Sequence, residues 1–276
     1  MISALFVRAW ILVVAVSAVP CAARGQEAPK PDQPPPVAAG EEAAKPDRGF
    51  FGTLFHNLGD DVKHIPRKNS LYWLAAGSGL AAAIHPADDD INRRLQGSGA
   101  ADGLFKPGKF LGSSYTIGAA SVAMYFIARH GGHGRAKHLG MDLLESTLLS
   151  EGITQVIKVA VRRDRPIASD GSQATGYAFP SGHATVTFAA ATVLQQHLGW
   201  RAAVPTYLAA SYVAMSRLHD ERHFASDVVF GAFDGIIIGR SVTWHGRNFY
   251  ASPMLLPHGG KGIMVSVLHG TGRHKG

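Results

Sequence analysis

A single cysteine, Cys21, is present among 276 residues. That excludes a disulfide scaffold and a cysteine-built metal site. Charge is also scarce, at 17% of residues against 46% hydrophobic, which excludes a chain kept unfolded by charge. Glycine is plentiful at 32 residues but shows no period of three, so a collagen-like rod is excluded. Clean apolar runs of about 20 residues, the length of a bilayer span, are missing as well. A mean hydropathy of +0.04 leaves little room for six such runs. The balance is basic, with 27 Lys and Arg against 20 Asp and Glu. The basic residues are scattered rather than gathered, and no nucleic-acid partner is expected.

What is present begins with an export signature. Arg8 precedes an apolar run over 9–19, and Ala22, Ala23 and Gly25 follow. The spacing predicts a secretory signal peptide over 1–25, since the run is short for a membrane anchor. Cleavage after Cys21 leaves no thiol nucleophile in the mature protein. Residues 26–48 carry Pro29, Pro31, Pro34, Pro35, Pro36 and Pro46 and read as a linker unable to pack a core. A folded domain is expected over 49–250, followed by a Gly-, His- and Lys-rich tail over 251–276. Within that tail, 263–268 reads as a short strand or an extended segment.

The domain reads as all-α. Phe50, Phe51, Leu54, Phe55, Leu58 and Val62 recur at helical spacing. The stripe suits packing on the domain better than lying on a membrane, because its polar face is not rich in Lys and Arg. Apolar helical stretches follow near 71–84, 114–128, 142–161, 184–198, 202–215 and 228–242. They are short, rich in Ala and Gly, and interrupted by Glu145, Glu151 and Gln155. A bundle of about six core helices accommodates them.

Three segments carry chemistry. In the first, Lys158 lies near the end of the 142–161 helix, and Pro166 pushes Arg165 into the exit loop. Cations there also simply complement the helix dipole. In the second, Ser181, Gly182 and His183 open the helix at 184–198. Ser181 is a good N-cap, and a helix N-terminus offers free N–H groups to an anion. In the third, Arg217 precedes His223 and Asp227, which are four residues apart and share a helix face. A carboxylate on one ring nitrogen would fix the tautomer and free the other nitrogen; a structural polar pair is the plain alternative. Arg162 and Arg163, and the charged run His219, Asp220, Glu221 and Arg222, read as solvated.

His219 and His223 also have the i, i+4 spacing of zinc ligands. The protease pattern H-E-x-x-H fails here, however: Asp220 stands at the Glu position, and no third ligand lies nearby.

Together the segments supply Lys158, Arg165 and Arg217 as cations, N–H donors at the Ser181 turn, and two histidines. Such a set suits a tetrahedral oxyanion and phosphoryl transfer. Fixed cations can stabilise the charge, so no metal or other cofactor is called for. The order Lys158, six residues, Arg165-Pro166; Pro180-Ser181-Gly182-His183; then Ser216-Arg217, five residues, His223, three residues, Asp227 resembles the three signature motifs of the type 2 phosphatidic acid phosphatase superfamily. That superfamily also contains bacterial non-specific acid phosphatases and vanadium haloperoxidases.

The resemblance implies an all-helical bundle and a phosphatase working through a phosphohistidine. It implies His223 as nucleophile, Asp227 as its orienting partner, and His183 as general acid and then base. Lys158, Arg165, Ser181, Gly182 and Arg217 would hold the phosphate oxygens. A vanadium haloperoxidase is the first alternative, although the short interval between Pro166 and Phe179 looks more like a phosphatase. A non-catalytic binder of anionic lipid is the second, against which both histidines speak. The expected partner is a phosphorylated small molecule or a lipid substrate, with a membrane surface nearby. The expected location is periplasmic or exported, soluble or peripheral, with an integral inner-membrane form facing the periplasm as the alternative.

Overall fold

The computed structural model describes residues 49–95, 99–243, 249–255 and 261–267. The expected signal peptide, the linker and the end of the tail lie outside the described residues. Nine α-helices are found among them: α1 (Gly49–His64), α2 (Lys68–Ile84), α3 (Asp88–Leu95), α4 (Gly99–Leu111), α5 (Ser114–His130), α6 (Gly134–Val161), α7 (Gly182–Leu198), α8 (Trp200–His219) and α9 (Ala225–Val242). The six expected core helices correspond to α2 and α5–α9. The tail forms strands β1 (Phe249–Leu255) and β2 (Lys261–Val267), an antiparallel pair with Phe249 opposite Val267. The strand expected over 263–268 is thus present, and it has a partner.

α9 is the axis of the bundle. Its sequence is apolar on every side, so it must be surrounded, and nearly every residue from Ala225 to Val242 is buried. α7, α2 and α6 pack around it. Val228, Val229, Phe233 and Ile236 join Phe188 of α7, Tyr207 and Leu218 of α8, and Ile84 and Ile91 in one apolar core. The buried Tyr207 hydroxyl is matched to partners: it lies 3.0 Å from Gln195 Oε1 and 2.8 Å from Thr192 Oγ1.

α7 and α9 approach each other through backbone. Gly231, Gly235 and Gly239 recur every fourth residue and so form one stripe. A Cβ at Gly235 would stand 2.3 Å from the carbonyl of Thr185, and one at Gly231 would stand 2.7 Å from that of Ser181. Only glycine admits this backbone contact. It sets the start of α7 against the start of α9, where Ser181 N–H donates to the Asp227 carbonyl (3.1 Å).

α1 packs as expected. Leu54 is buried with Tyr125, Met141 and Leu144, and Phe50 and Leu58 close the cluster. Its outer side, however, leaves Phe51 and Phe55 more than two-thirds exposed. Leu71, Phe110, Tyr115 and Ile127 are exposed too. Among the described residues, no single helix is long and apolar enough to cross a membrane; 101–111 and Ser114–His130, bent by 52°, meet that test only as a pair.

Candidate active site

Three chain reversals meet at one end of the bundle. At the end of α6, Arg162 adopts a left-handed conformation (φ 53°), and its N–H closes on the Lys158 carbonyl at 2.9 Å. This αL ending stops the helix and turns Arg163 inward and Arg165 toward the next loop. The second reversal is Ser181, the N-cap of α7. The third is the turn from α8 to α9, where Glu221 is left-handed (φ 52°). There the Glu221 carboxylate accepts from Ser169 N–H at 3.0 Å, so two of the loops are tied together.

Lys158 is buried, and its Nζ donates to the Tyr177 carbonyl at 2.6 Å. Burial, and then the charge of Arg165, lower its pKa to about 8. Arg165 is half-buried; its Nη1 reaches the Arg222 carbonyl at 3.4 Å, and its buried Nε has no hydrogen-bond partner. Arg217 is buried, with Nη1 3.1 Å from Asp220 Oδ2, an ion pair lacking hydrogen-bond alignment. Burial pulls both guanidinium pKa values down from the usual arginine value. Ser181 occupies the cap position, but its hydroxyl makes no cap bond and is a buried group without a partner. Gly182 opens α7 beside it.

The two histidines are held by main-chain carbonyls. His223 Nδ1 lies 2.7 Å from the Ala178 carbonyl. A carbonyl only accepts, so Nδ1 carries the proton and Nε2 the lone pair. His183 Nε2 lies 3.1 Å from the Lys109 carbonyl, so its Nδ1 is the nitrogen left to exchange a proton. Gly112 makes this fit possible, because a Cβ there would stand 2.2 Å from Val213 and 3.1 Å from the His183 ring. Burial lowers both histidine pKa values to about 4; neighbouring Arg217 adds to the effect at His183, and Lys158 and Arg165 add to it at His223. Both rings are therefore neutral at pH 7.

Asp227 lies beside the His223 ring, in ion-pair reach and without a direct hydrogen bond to it. Its Oδ2 stands 3.9 Å from His223 Nδ1, beyond hydrogen-bond range. That oxygen accepts from Phe224 N–H at 2.8 Å, and Oδ1 accepts from Arg163 Nη1 at 2.7 Å. The direct orienter of the ring is Ala178, and Asp227 shapes the turn that carries His223.

The expectation of solvation also fails for Arg163. Its Nη1 donates to Ser226 Oγ and Asp227, its Nη2 donates to Asp88 Oδ2 at 2.7 Å, and the guanidinium sits 4.0 Å from the centre of the Phe224 ring. The cause is the left-handed Arg162, which swings the next side chain under α9. Arg162 itself stays exposed, as expected. In the charged run after Arg217 three side chains are engaged: His219 meets Asp102 at 2.8 Å, Asp220 meets Arg217, and Glu221 holds Ser169; Arg222 is exposed, as expected. The carbonyls of Ala178 and Lys109 carry no sequence signal.

Two recesses flank the site. One, of about 540 Å³, is lined by Arg165, Gln173, Thr175 and Tyr177. The other, of about 290 Å³, is lined mostly by apolar groups, including Ala81, Ala82, Val161, Phe179 and Phe230.

Residues 139–250 match the PAP2 superfamily. A curated lipid A 1-phosphatase of Porphyromonas gingivalis is 36% identical over 126 residues, a match covering 44% of this chain and 27% of that protein. The chain thus spans about a quarter of that relative's length. Two solved structures overlay. The PAP2-type phosphatidylglycerolphosphate phosphatase of Bacillus subtilis, a transmembrane protein, has TM-score 0.49 at 19% identity, covering 71% of this chain and 94% of that one. LpxE of Aquifex aeolicus has TM-score 0.45 at 22% identity, covering 57% and 95%.

Proposed function

With residues 139–250 matching the PAP2 superfamily, we propose that the protein hydrolyses a phosphate monoester through a phosphohistidine on His223. The observation that carries this reading is the pairing of locked ring tautomers with buried cationic and hydroxyl donors that lack hydrogen-bond partners. His223 presents a neutral Nε2 with its lone pair free, and Arg165, Arg217 and Ser181 retain donors for phosphate oxygens.

In the first half-reaction His223 Nε2 attacks phosphorus while the ester oxygen leaves with the electron pair of the P–O bond. His183 Nδ1 delivers a proton to that oxygen. An incoming phosphate dianion opposes Arg217, the neighbour that helps lower the His183 pKa, and so raises that pKa toward protonation. In the second half-reaction His183 takes a proton from water, the hydroxide attacks phosphorus, and the P–N bond breaks to return neutral His223 and inorganic phosphate. Lys158, Arg165, Arg217, Ser181 and the N–H groups at Gly182 stabilise charge on the equatorial oxygens throughout.

The substrate class that fits is a lipid phosphate at a membrane surface. The mostly apolar recess opens beside Arg163 and Ser226, and aromatic and aliphatic side chains stand exposed on α1, α2, α4 and α5. An exported protein working at the periplasmic face accords with the signal-like N-terminus.

Rapid quenching of the protein with a radiolabelled lipid phosphate tests the mechanism. The expected result is an acid-labile, base-stable phosphoenzyme that is absent in His223→Ala. Turnover by His223→Ala, or label on another residue, overturns it. Competition between a lipid phosphate and a soluble phosphomonoester is expected to favour the lipid; equal kcat/KM for both overturns the substrate assignment.

A further inference from the structure

At the other end of α6, His138 and Asp142 are four residues apart and share a face, and His197 enters from the last turn of α7. His197 Nε2 lies 2.8 Å from Asp142 Oδ2, and His138 Nδ1 lies 3.4 Å from Asp142 Oδ1. The two rings meet edge to face, with centroids 5.3 Å apart. One donor atom from each residue can be chosen so that all three lie within 4.8 Å of one another. We propose that these three residues bind a divalent transition metal of the zinc type, which fastens α6 to α7.

The donor set selects the ion class. Two imidazoles and one carboxylate suit zinc and its neighbours, whereas calcium and magnesium take oxygen ligands. A tetrahedral ion about 2.1 Å from each donor needs donors roughly 3.4 Å apart, so small side-chain rotations complete the cage. The Asp142 carboxylate is fully buried, while the His138 side chain is 32% exposed and that of His197 17% exposed. The ion therefore has an entry path and a solvent-facing fourth position. His197 also lies at the C-terminal end of α7, where the helix dipole favours a cation.

Sixteen residues separate Asp142 from Lys158, about 24 Å along a helix, so the ion takes no part in phosphoryl transfer. It instead fixes the spacing of the two helices whose far ends carry Lys158 and His183. The proposal does not depend on the phosphatase reading.

The untagged protein in detergent, stripped of metal, is titrated with Zn²⁺. One equivalent is expected to bind and to raise Tm by about 5–10 °C at a hundredfold excess over Kd. His138→Ala, at a partly exposed position, is expected to keep its fold and lose both effects, as is His197→Ala. The His183→Ala/His223→Ala double variant is expected to retain them. Zinc uptake that survives in His138→Ala, or no uptake by the native chain, overturns the proposal. If His197→Ala fails to fold, Co²⁺ bound to the native chain decides: a tetrahedral ligand-field spectrum that disappears in His138→Ala supports the site, and an octahedral aquo spectrum refutes it.

Discussion

Arg163 and Arg165 stand two residues apart in the same loop, yet the fold treats them oppositely. Arg163 is engaged with Asp88, Asp227, Ser226 and the Phe224 ring. Arg165 makes one long contact to the Arg222 carbonyl and keeps a buried Nε without a partner. The first neutralises buried carboxylates and holds α3, α6 and α9 together. The second, with Lys158 and Arg217, forms a concentration of positive charge that the Asp220 carboxylate beside Arg217 offsets only in part. Folding has little reason to keep cations this close, and the pKa values of all three are lowered by burial. The difference separates a group that builds the scaffold from groups that, on the proposed function, are held ready for a dianion.

The comparison breaks if the two arginines respond alike to removal. Arg163→Ala leaves Asp88 and Asp227 buried without their counter-charge and is expected to cost about 3–5 kcal/mol of stability, read by denaturant unfolding. Arg163→Lys rescues it poorly, since a single ammonium does not span both carboxylates. Arg165→Ala is expected to lower kcat/KM by about 10²–10³-fold while leaving Tm unchanged or slightly raised.

Titration sharpens the same contrast. Lys158 is charged below about pH 8, so its expected contribution to phosphate binding is present below that value and lost above it. kcat/KM is expected to fall about tenfold per pH unit on the alkaline side, and Lys158→Arg is expected to move that limb upward. His183 and His223 sit at about 4 in the fold, against about 6.5 unfolded. The unfolded chain therefore takes up protons first as the solution is acidified. The stability contributed by neutral rings is complete above pH 6.5 and declines toward pH 4, and His223→Ala is expected to flatten that decline in thermal unfolding. The smallest effect is assigned to Ser181→Ala. Removal of an unpartnered hydroxyl is near neutral for stability, with a loss of about tenfold in kcat/KM for one phosphate hydrogen bond.

The motif residues were legible because oxyanion chemistry demands particular side chains at particular spacings. Lys158, Arg165, Ser181, Gly182, His183, Arg217 and His223 were all named from spacing, and all are found on the three converging chain reversals. The helix pattern was legible for a similar reason, since apolar periodicity reports burial directly. The partner of each charge was not legible. Arg163 is neutralised by Asp88, 75 residues earlier, and nothing local announces that contact. The orienter of His223 is a backbone carbonyl, which every residue possesses. The pair His138 and Asp142 had the right spacing, but its third member comes from the far end of another helix.

The glycine stripe of α9 implies leverage. Because α7 and α9 touch through backbone along Gly231, Gly235 and Gly239, they cannot shift independently, and a methyl group at one station acts as a wedge under a rigid beam. Gly239 is four turns along α9 from the turn that carries His223, yet alanine there would tilt both rods and alter the gap between the starts of the two helices. The spacing of the helix starts that carry Ser181 and Asp227 is thus set remotely, by residues lying far along the rods.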